Sequence, residues 1–359
     1  MSVIILNHTA KVSDYFIRFS VLKSKNQRSD VDINFNHICI RRELFMLKIG
    51  VLGTGYLGKI HMQVLSELPE LFQSIHFFDP DIKAAKEAAA RFGIEPCHSL
   101  DALINEVDVV DVVSSTPSHF QCASNAIRNL KHVFIEKPIT STLEESNRLI
   151  KLAKEAQVVA QVGHIERFNP AYLAVSPLLE NTKYIEAHRL SQYKGRNNDV
   201  SVILDVMIHD IDLILAVTKA NVRKVSANGA SVLTPHIDIA NARIELDNGC
   251  VANLTASRVA TDAMRKMRFY QKDACYVSDF LNKTAHGYEL LRENEENEIT
   301  RKNLSVPDNN ALKQELTSFG EAVLRQTEPT VSLEDGHKAL AVAEMIAEKI
   351  RLNVFTSED

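Results

Sequence analysis

The stretch "LKIGVLGTGYLG", residues 47–58, decides the fold of this chain. Its apolar first half predicts a buried strand, and residues 56–68 follow with helical spacing. Gly53, Gly55 and Gly58 have the G-x-G-x-x-G spacing, which allows a tight turn, close approach of the backbone to a pyrophosphate, and close packing of helix on strand. Because the N-terminus of such a helix binds phosphate, the stretch predicts a dinucleotide site at the start of a βαβ unit.

The next predicted strand ends in a carboxylate that agrees with this interpretation. Asp79 ends "SIHFFD" (74–79), about 20 residues after Gly58, where an acidic side chain binds the ribose hydroxyls of a dinucleotide. Asp79 and Asp81 would repel a 2′-phosphate, and no Arg lies beside Asp79. The sequence therefore favours NAD over NADP. The alternative is a glycine-rich turn with a solvated Asp.

Strands and helices alternate from Met46 onwards, which predicts a parallel sheet covered on both faces. Gly93 ends one predicted helix (81–93), and a capping box of Thr142 and Glu145 begins another (142–157). We therefore expect residues 46–165 to form a doubly wound α/β domain, a Rossmann fold.

The pattern changes after about residue 180. One long helix is predicted at 200–218, and five strands then follow one another with a hairpin signal, "DNG" (247–249), between two of them. The chain ends in two helices, the second with Ser332 as its N-cap. Residues 166–359 are therefore predicted to form an α+β domain with a mostly antiparallel open sheet, whose C-terminal helix packs back toward the Rossmann domain.

Bulk properties exclude several classes of protein. The 359 residues carry a formal net charge of −5, so no basic field attracts nucleic acid. No apolar run is long enough to cross a membrane. The 5 cysteines are scattered and form no C-x-x-C pair, which argues against a zinc knuckle or a disulfide framework and favours a reducing cytoplasm.

Residues 1–45 need a separate interpretation, because they show no clean period and end directly before Met46 and its strong strand. We expect this N-terminal extension to be disordered or absent from the native protein, with the natural start at Met46. No secretory signal is predicted, since no apolar segment with a small-residue cleavage site is present.

Three polar side chains suggest chemistry. Lys137, in "EKP", ends a predicted parallel strand, and ligands bind outside such strand ends. Asp205 and His209 are four residues apart on an otherwise apolar helix, with Asp212 three further on, so these groups must be paired or face a cleft. A neutral imidazole is a suitable base for a hydroxyl proton. The alternatives are a surface lysine, a structural Asp–His pair, or a metal site with His164, although nothing requires a metal.

Residues 46–352 resemble the glucose–fructose oxidoreductase / inositol dehydrogenase / MocA (Gfo/Idh/MocA) family of NAD(P)-dependent sugar oxidoreductases. The resemblance is carried by "GVLGTGYLGKIH" (50–61), "STPSHF" (115–120), "IEKPI" (135–139), "DVMIHDIDLI" (205–214) and "VSLEDGHKAL" (331–340). One departure is Met207, where many members have glycine, so the resemblance does not define the shape of the local pocket.

The resemblance implies a cis bond between Lys137 and Pro138, a catalytic role for Lys137, and Asp205 and His209 as the acid/base pair. It also implies a homodimer or homotetramer formed through the C-terminal sheet. The residues expected to bind the cofactor are Gly53, Thr54, Gly55, Tyr56, Leu57, Gly58, Asp79, Ser115, Thr116, Pro117, His119, Glu136 and Lys137.

The stretch "VGHIERFNP" (162–170) resembles the subgroup that oxidises nucleotide sugars, in particular UDP-N-acetylglucosamine 3-dehydrogenases. It implies that Glu166 and Arg167 face a sugar hydroxyl or a phosphate, and that Lys194 and Arg196 help to bind a diphosphate. The alternative is an interdomain ion pair between Glu166 and Arg167. The residues expected to bind the substrate are Glu166, Arg167, Asn169, Tyr193 and Arg196.

The functional hypothesis is an NAD-dependent oxidation of UDP-GlcNAc at C3, which would feed amino-sugar synthesis for lipid A or surface polysaccharide. His209 would accept the hydroxyl proton, Asp205 would orient His209, and Lys137 would stabilise the alkoxide. Two alternatives remain open: a dehydrogenase of free sugars or inositol, and a non-catalytic NADH-binding sensor.

Overall fold

The computed structural model describes residues 19–23, 27–31, 46–193, 195, 200–293 and 296–355. Residues 1–46 and residues 47–359 form two compact units. In the first unit, β1 (Phe19–Lys23) pairs antiparallel with β2 (Gln27–Val31). The rest of the predicted extension lies outside the described residues, and its absence from the native protein stays a prediction. No helix among the described residues is long and apolar enough to span a membrane.

The second unit begins with a five-stranded parallel sheet of order β4-β3-β5-β6-β7. All residues of β5 and β7 are buried, as expected for strands covered by helices on both faces. The Rossmann fold is confirmed; the short helix α3 was missed because its 7 residues carry little periodicity. The elements are β3 (Leu47–Leu52), α1 (Tyr56–Leu65), β4 (Phe72–Phe78), α2 (Ile82–Phe92), α3 (Leu100–Glu106), β5 (Val109–Val112), α4 (Thr116–Arg128), β6 (His132–Glu136), α5 (Leu143–Ala156) and β7 (Ala160–Gly163).

The predicted caps explain why two of these helices begin and end where they do. Gly93 ends α2 with φ 67°, a conformation that suits glycine. Thr142 and Glu145 form the predicted capping box at α5, each side chain accepting a hydrogen bond from the other residue's backbone N–H.

An eight-stranded sheet of order β15-β14-β13-β12-β8-β11-β10-β9 forms the second half of the unit. It is antiparallel except for the pair β8–β11, which confirms the mostly antiparallel sheet. Gly249, with φ 81°, lies in the predicted hairpin between β10 and β11. The strands are β8 (Tyr184–Leu190), β9 (Val222–Ala230), β10 (Ile239–Leu246), β11 (Val251–Ser257), β12 (Met264–Gln271), β13 (Ala274–Asp279), β14 (Thr284–Glu293) and β15 (Glu296–Asn303); the last two were not predicted.

Helices cover one face of this sheet. A helix with π-type turns (Ile203–Met207) continues into α7 (Ile208–Thr218), and α9 (Leu333–Phe355) packs against α7 and β9. Their apolar residues share one core with the inward side chains of the sheet, for example Leu254 and Phe269. The short elements that link the two sheets are a 3-10 helix (Ile165–Phe168), α6 (Pro170–Val175) and a 3-10 turn (Ser176–Leu178).

Helix α8 (Ala311–Arg325) returns to the Rossmann sheet. Leu316 and Phe319 are fully buried in the same core as Ile49 of β3, and the ring of Phe319 lies 5.6 Å from that of Phe134. The core on this side of the parallel sheet therefore depends on residues from the end of the chain.

Candidate active site

The glycine turn between β3 and α1 has the geometry that a dinucleotide requires. Gly53 has φ +93°, and a Cβ on Gly58 would lie 1.9 Å from the carbonyl oxygen of Gly53. A Cβ on Gly55, in contrast, would meet nothing within 4 Å, so the backbone is open to a ligand there. Gly55 is also the N-cap of α1 and has no side chain to cap its first N–H groups. These groups can bind a pyrophosphate, and the turn therefore fits NAD.

A cavity of about 620 Å³ lies against this turn. Asp79 is on its wall and is held in place by the turn: the N–H and hydroxyl of Thr54 donate to Asp79 Oδ2 at 2.6 and 2.9 Å. The carboxylate is thus fixed directly after β4, and its binding of a ribose stays a prediction. The cavity is lined by Gly53, Gly55, Tyr56, Leu57, Asp79, Pro80, Val113, Ser114, Ser115 and Ser118.

His119 connects the two turns at this edge of the sheet. Its Nδ1 lies 3.0 Å from the carbonyl oxygen of Pro138, and its Nε2 lies 3.0 Å from that of Ser114. His119 is buried, and burial lowers its pKa. Thr116 and Pro117 precede His119 in the first turn of α4. His119 therefore links the segments that follow β5 and β6, and it does not line the cavity.

Glu136 belongs to a buried charged cluster that the sequence did not reveal. His61, on α1, lies with Nδ1 2.9 Å from Asp111 Oδ2 and with Nε2 3.4 Å from Glu136 Oε1. Burial lowers the pKa of His61, but the charges of Asp111 and Glu136 raise it, to about 10 in total. The only sequence signal was polar residues on otherwise apolar elements. The cluster anchors Glu136 directly before Lys137, whose N–H donates to Glu136 Oε2 at 3.1 Å.

Lys137 and Asp205 meet at a second cavity. The Lys137–Pro138 bond is cis, as expected. Lys137 Nζ donates to the backbone oxygen of Asp205 at 2.7 Å and lies 3.2 Å from Asp205 Oδ1. We expected Asp205 to orient His209, but in the structure its carboxylate holds Lys137 instead. The helix here has π-type turns, and these change the i, i+4 relation on which that expectation depended.

His209 lines the same cavity as Lys137 and Asp205. Its Nδ1 is buried and has no hydrogen-bond partner among the described residues. Burial, followed by the charges of Lys137 and Arg189, lowers the pKa of His209 well below 6.5. The imidazole is therefore neutral at pH 7 and able to accept a proton.

Glu166 lines this cavity too, but its partner is not the one expected. Its Oε1 lies 2.5 Å from Nη1 of Arg189, on β8, and its Oε2 accepts a hydrogen bond from Asn169 at 2.9 Å. Arg189 also donates to both oxygens of Asp210, from Nη2 to Oδ1 at 2.7 Å and from Nε to Oδ2 at 3.1 Å. The charge of Arg189 is thus balanced by two carboxylates.

Arg167 points away from the cavity. Its Nε and Nη2 donate to the two oxygens of Asp212 at 2.8 and 2.7 Å, and both side chains are largely buried. Neither Arg167 nor Asn169 is part of the cavity lining. The geometry therefore differs from both expectations for Arg167. Its guanidinium is bound to Asp212 and does not face the cavity, and Glu166 is paired with Arg189 instead of Arg167.

The second cavity has a volume of about 430 Å³ and adjoins the first, since Tyr56 lines both. Tyr193 lines it as predicted, whereas Lys194 and Arg196 lie outside the described residues. Sequence reasoning missed the three described arginines of its wall, Arg189, Arg258 and Arg265. The lining is Tyr56, Lys137, Ile165, Glu166, Arg189, Ser191, Gln192, Tyr193, Asp205, Val206, His209, Arg258 and Arg265.

The proposed metal alternative finds no support in the geometry. Within the part of the chain that the structure describes, no three His, Cys, Asp or Glu side chains are grouped so that they could hold a metal ion.

Comparison with known proteins agrees with both halves of the structure. The model of an oxidoreductase family with an NAD-binding Rossmann fold, GFO_IDH_MocA, matches residues 47–164, and that of the GFO/IDH/MocA C-terminal domain matches residues 181–275. A UDP-N-acetylglucosamine 3-dehydrogenase of Acidithiobacillus ferrooxidans is 41% identical over 67% of this chain and 77% of its own length. A scyllo-inositol 2-dehydrogenase (NAD⁺) of Bacillus subtilis is 29% identical over 60% of this chain and 68% of its own.

A solved structure is also similar to this chain. The UDP-N-acetylglucosamine 3-dehydrogenase GnnA from Acidithiobacillus ferrooxidans superposes with a TM-score of 0.80 at 35% identity, over 85% of this chain and 98% of GnnA. Because 85% of the chain is covered, the similarity extends over both sheets.

Proposed function

This chain belongs to the GFO/IDH/MocA family of NAD-binding oxidoreductases, and we propose that within this family it oxidises the C3 hydroxyl of UDP-N-acetylglucosamine. The observation that carries the proposal is one cavity that holds Lys137, Asp205 and His209 directly beside the glycine turn. The similarity to a UDP-N-acetylglucosamine 3-dehydrogenase supports the choice of substrate.

The proposed mechanism assigns one task to each polar group. The turn of Gly53 and Gly55 would hold NAD, which would supply the acceptor for the hydride from C3. His209 accepts the hydroxyl proton, because its lowered pKa keeps it neutral at pH 7. Lys137 stabilises the negative charge that develops on the oxygen, and Asp205 holds the lysine through its backbone oxygen and Oδ1. The product is a 3-keto nucleotide sugar, which a transamination would convert into an amino sugar.

Turnover assays test the substrate. NADH formation at 340 nm should occur with UDP-GlcNAc and be absent with GlcNAc, glucose and myo-inositol; adding 2-oxoglutarate tests whether the NADH is re-oxidised in place. A Lys137→Ala, His209→Ala variant should bind NAD and produce no NADH. Turnover with an unactivated polyol alone would refute the substrate, and full activity of the double variant would refute the mechanism.

An inositol dehydrogenase is the second candidate, since a scyllo-inositol 2-dehydrogenase matches 60% of the chain. The wall of the cavity favours the nucleotide sugar, because its arginines suit an anionic substrate better than a neutral cyclitol.

We further propose that the protein acts in the cytoplasm as a homodimer or homotetramer through the open face of its eight-stranded sheet. The free thiols among the described residues, such as Cys122 and Cys250, agree with a reducing compartment. Light scattering tests the assembly: a monomeric mass would refute it.

A further inference from the structure

Arg265 lies on the face of β12 that packs under the helices, whereas a surface arginine would be expected on the opposite face. Met267 and Phe269, two and four residues further along β12, are fully buried under the helices. Because side chains alternate in a strand, Arg265 lies on this same face, where the end of the sheet borders the second cavity. The cations of the other face, Lys266 and Arg268, are paired with carboxylates at 3.2 and 3.0 Å.

The other described cations of the cavity already face carboxylates. Lys137 is held by Asp205, and Arg189 by two carboxylates. Arg258 donates to a backbone oxygen at 2.6 Å and has Asp238 3.8 Å away. Arg265 is different, because its guanidinium makes no hydrogen bond or ion pair with any residue that the structure describes.

We propose that Arg265 binds the diphosphate of the substrate, a site that rests on the proposed function. A guanidinium fork matches two phosphate oxygens, and an anion there would satisfy the one cation of the described wall that has no partner. Arg265 is thereby a specificity-determining residue, since it selects nucleotide-activated sugars over free ones.

The same arrangement links substrate binding to the base. The positive charge of Arg265 is among the causes that lower the pKa of His209. A bound diphosphate would cancel that charge and raise the pKa of His209, so that the base becomes stronger when the correct substrate is present. The other ionisable groups that line the cavity with His209 are Tyr56 on α1, Lys137 after β6, Glu166 on the 3-10 helix, Arg189 on β8, Tyr193 after β8, Asp205 on the preceding helix, Arg258 after β11 and Arg265 on β12. His164, after β7, also acts on His209 through its charge.

Steady-state kinetics of Arg265→Gln test the contact. Loss of a charged hydrogen-bonding partner should raise the KM for UDP-GlcNAc about 10- to 100-fold, with the KM for NAD unchanged. Arg325→Gln is the control, because it removes the same charge from an exposed position on α8 outside the cavity and the sheet, and it should leave both values unchanged. Arg265→Lys should raise the KM for UDP-GlcNAc less than Arg265→Gln does, because it keeps the positive charge.

The pH profile separates this role from a structural one. In Arg265→Gln the acid limb of kcat/KM should move to higher pH, because His209 loses a neighbouring positive charge. Arg265→Lys retains the charge and should keep the original limb. An acid limb that is identical in all three proteins would refute the link to His209.

Binding of UDP tests Arg265 independently of the reaction. Calorimetry on the NAD-saturated protein should show a Kd for UDP about 10- to 100-fold weaker in Arg265→Gln, with uridine unaffected. Equal UDP affinity in both proteins would overturn the proposed site, even if UDP-GlcNAc is turned over. A loss of UDP affinity in the variant without any turnover of UDP-GlcNAc would support the site and refute the proposed function.

Discussion

Replacing Arg167 by Met should destabilise the protein without weakening substrate binding. The guanidinium makes two hydrogen bonds to Asp212, whose side chain is 1% exposed, and also lies 3.8 Å from Asp335. Removing one partner of a buried pair leaves an uncompensated charge, which costs about 3–5 kcal/mol. At about 2–4 °C per kcal/mol, the Tm should fall by about 6 °C or more. The KM for UDP-GlcNAc should not change, because Arg167 does not line the cavity.

Thermal and urea unfolding, together with steady-state kinetics, measure both effects. An Arg167→Met, Asp212→Leu variant should recover most of the lost free energy of unfolding, since both buried charges are then removed. Arg325→Met, which breaks an exposed pair with Glu321, is the control and should change the free energy of unfolding by less than about 1 kcal/mol. A normal Tm combined with a tenfold higher KM would refute this reasoning and return Arg167 to the substrate site.

Three further predictions concern the cofactor turn, the buried histidine and the base. Gly55→Ala should leave the Tm unchanged and raise the Kd of NAD, because its Cβ would enter only the space of the ligand. Gly58→Ala should lower the Tm, because its Cβ would lie 1.9 Å from the carbonyl oxygen of Gly53. Equal Tm values for the two variants would contradict this reasoning. The pKa of His61 is raised from 6.5 to about 10 on folding, so its contribution to stability is fully present below pH 6.5 and is lost as the pH rises toward 10. The free energy of unfolding should therefore fall between pH 7 and 10, and a His61→Gln variant should show a flatter dependence. His209→Gln should lower kcat about 10²- to 10⁴-fold with NAD affinity retained; a normal kcat would exclude this base.

The sequence was informative where the signal is local. The alternation of apolar strands and capped helices predicted the Rossmann sheet, and the glycine spacing predicted the turn that fits NAD. Lys137 and His209, which line one cavity, were also singled out, because a strand end and a polar position on an apolar helix are local signals. Asp205 was found for the same reason, although its partner, Lys137, could not be read from helical spacing across a π-type turn.

The substrate wall was harder to predict because the role of an arginine depends on which carboxylates the fold brings to it. Arg167 lies in the most suggestive stretch of the sequence, yet Asp212, 45 residues away in the chain, occupies its guanidinium. Arg265 lies in an unremarkable strand, but pairing of β8 with β12 places it opposite Arg189. Glu166 and Asp210 are both bound to Arg189, and no carboxylate among the described residues is paired with Arg265, which leaves Arg265 to a ligand. Strand register and charge pairing are long-range properties, so they decide substrate recognition in this cavity without leaving a local motif.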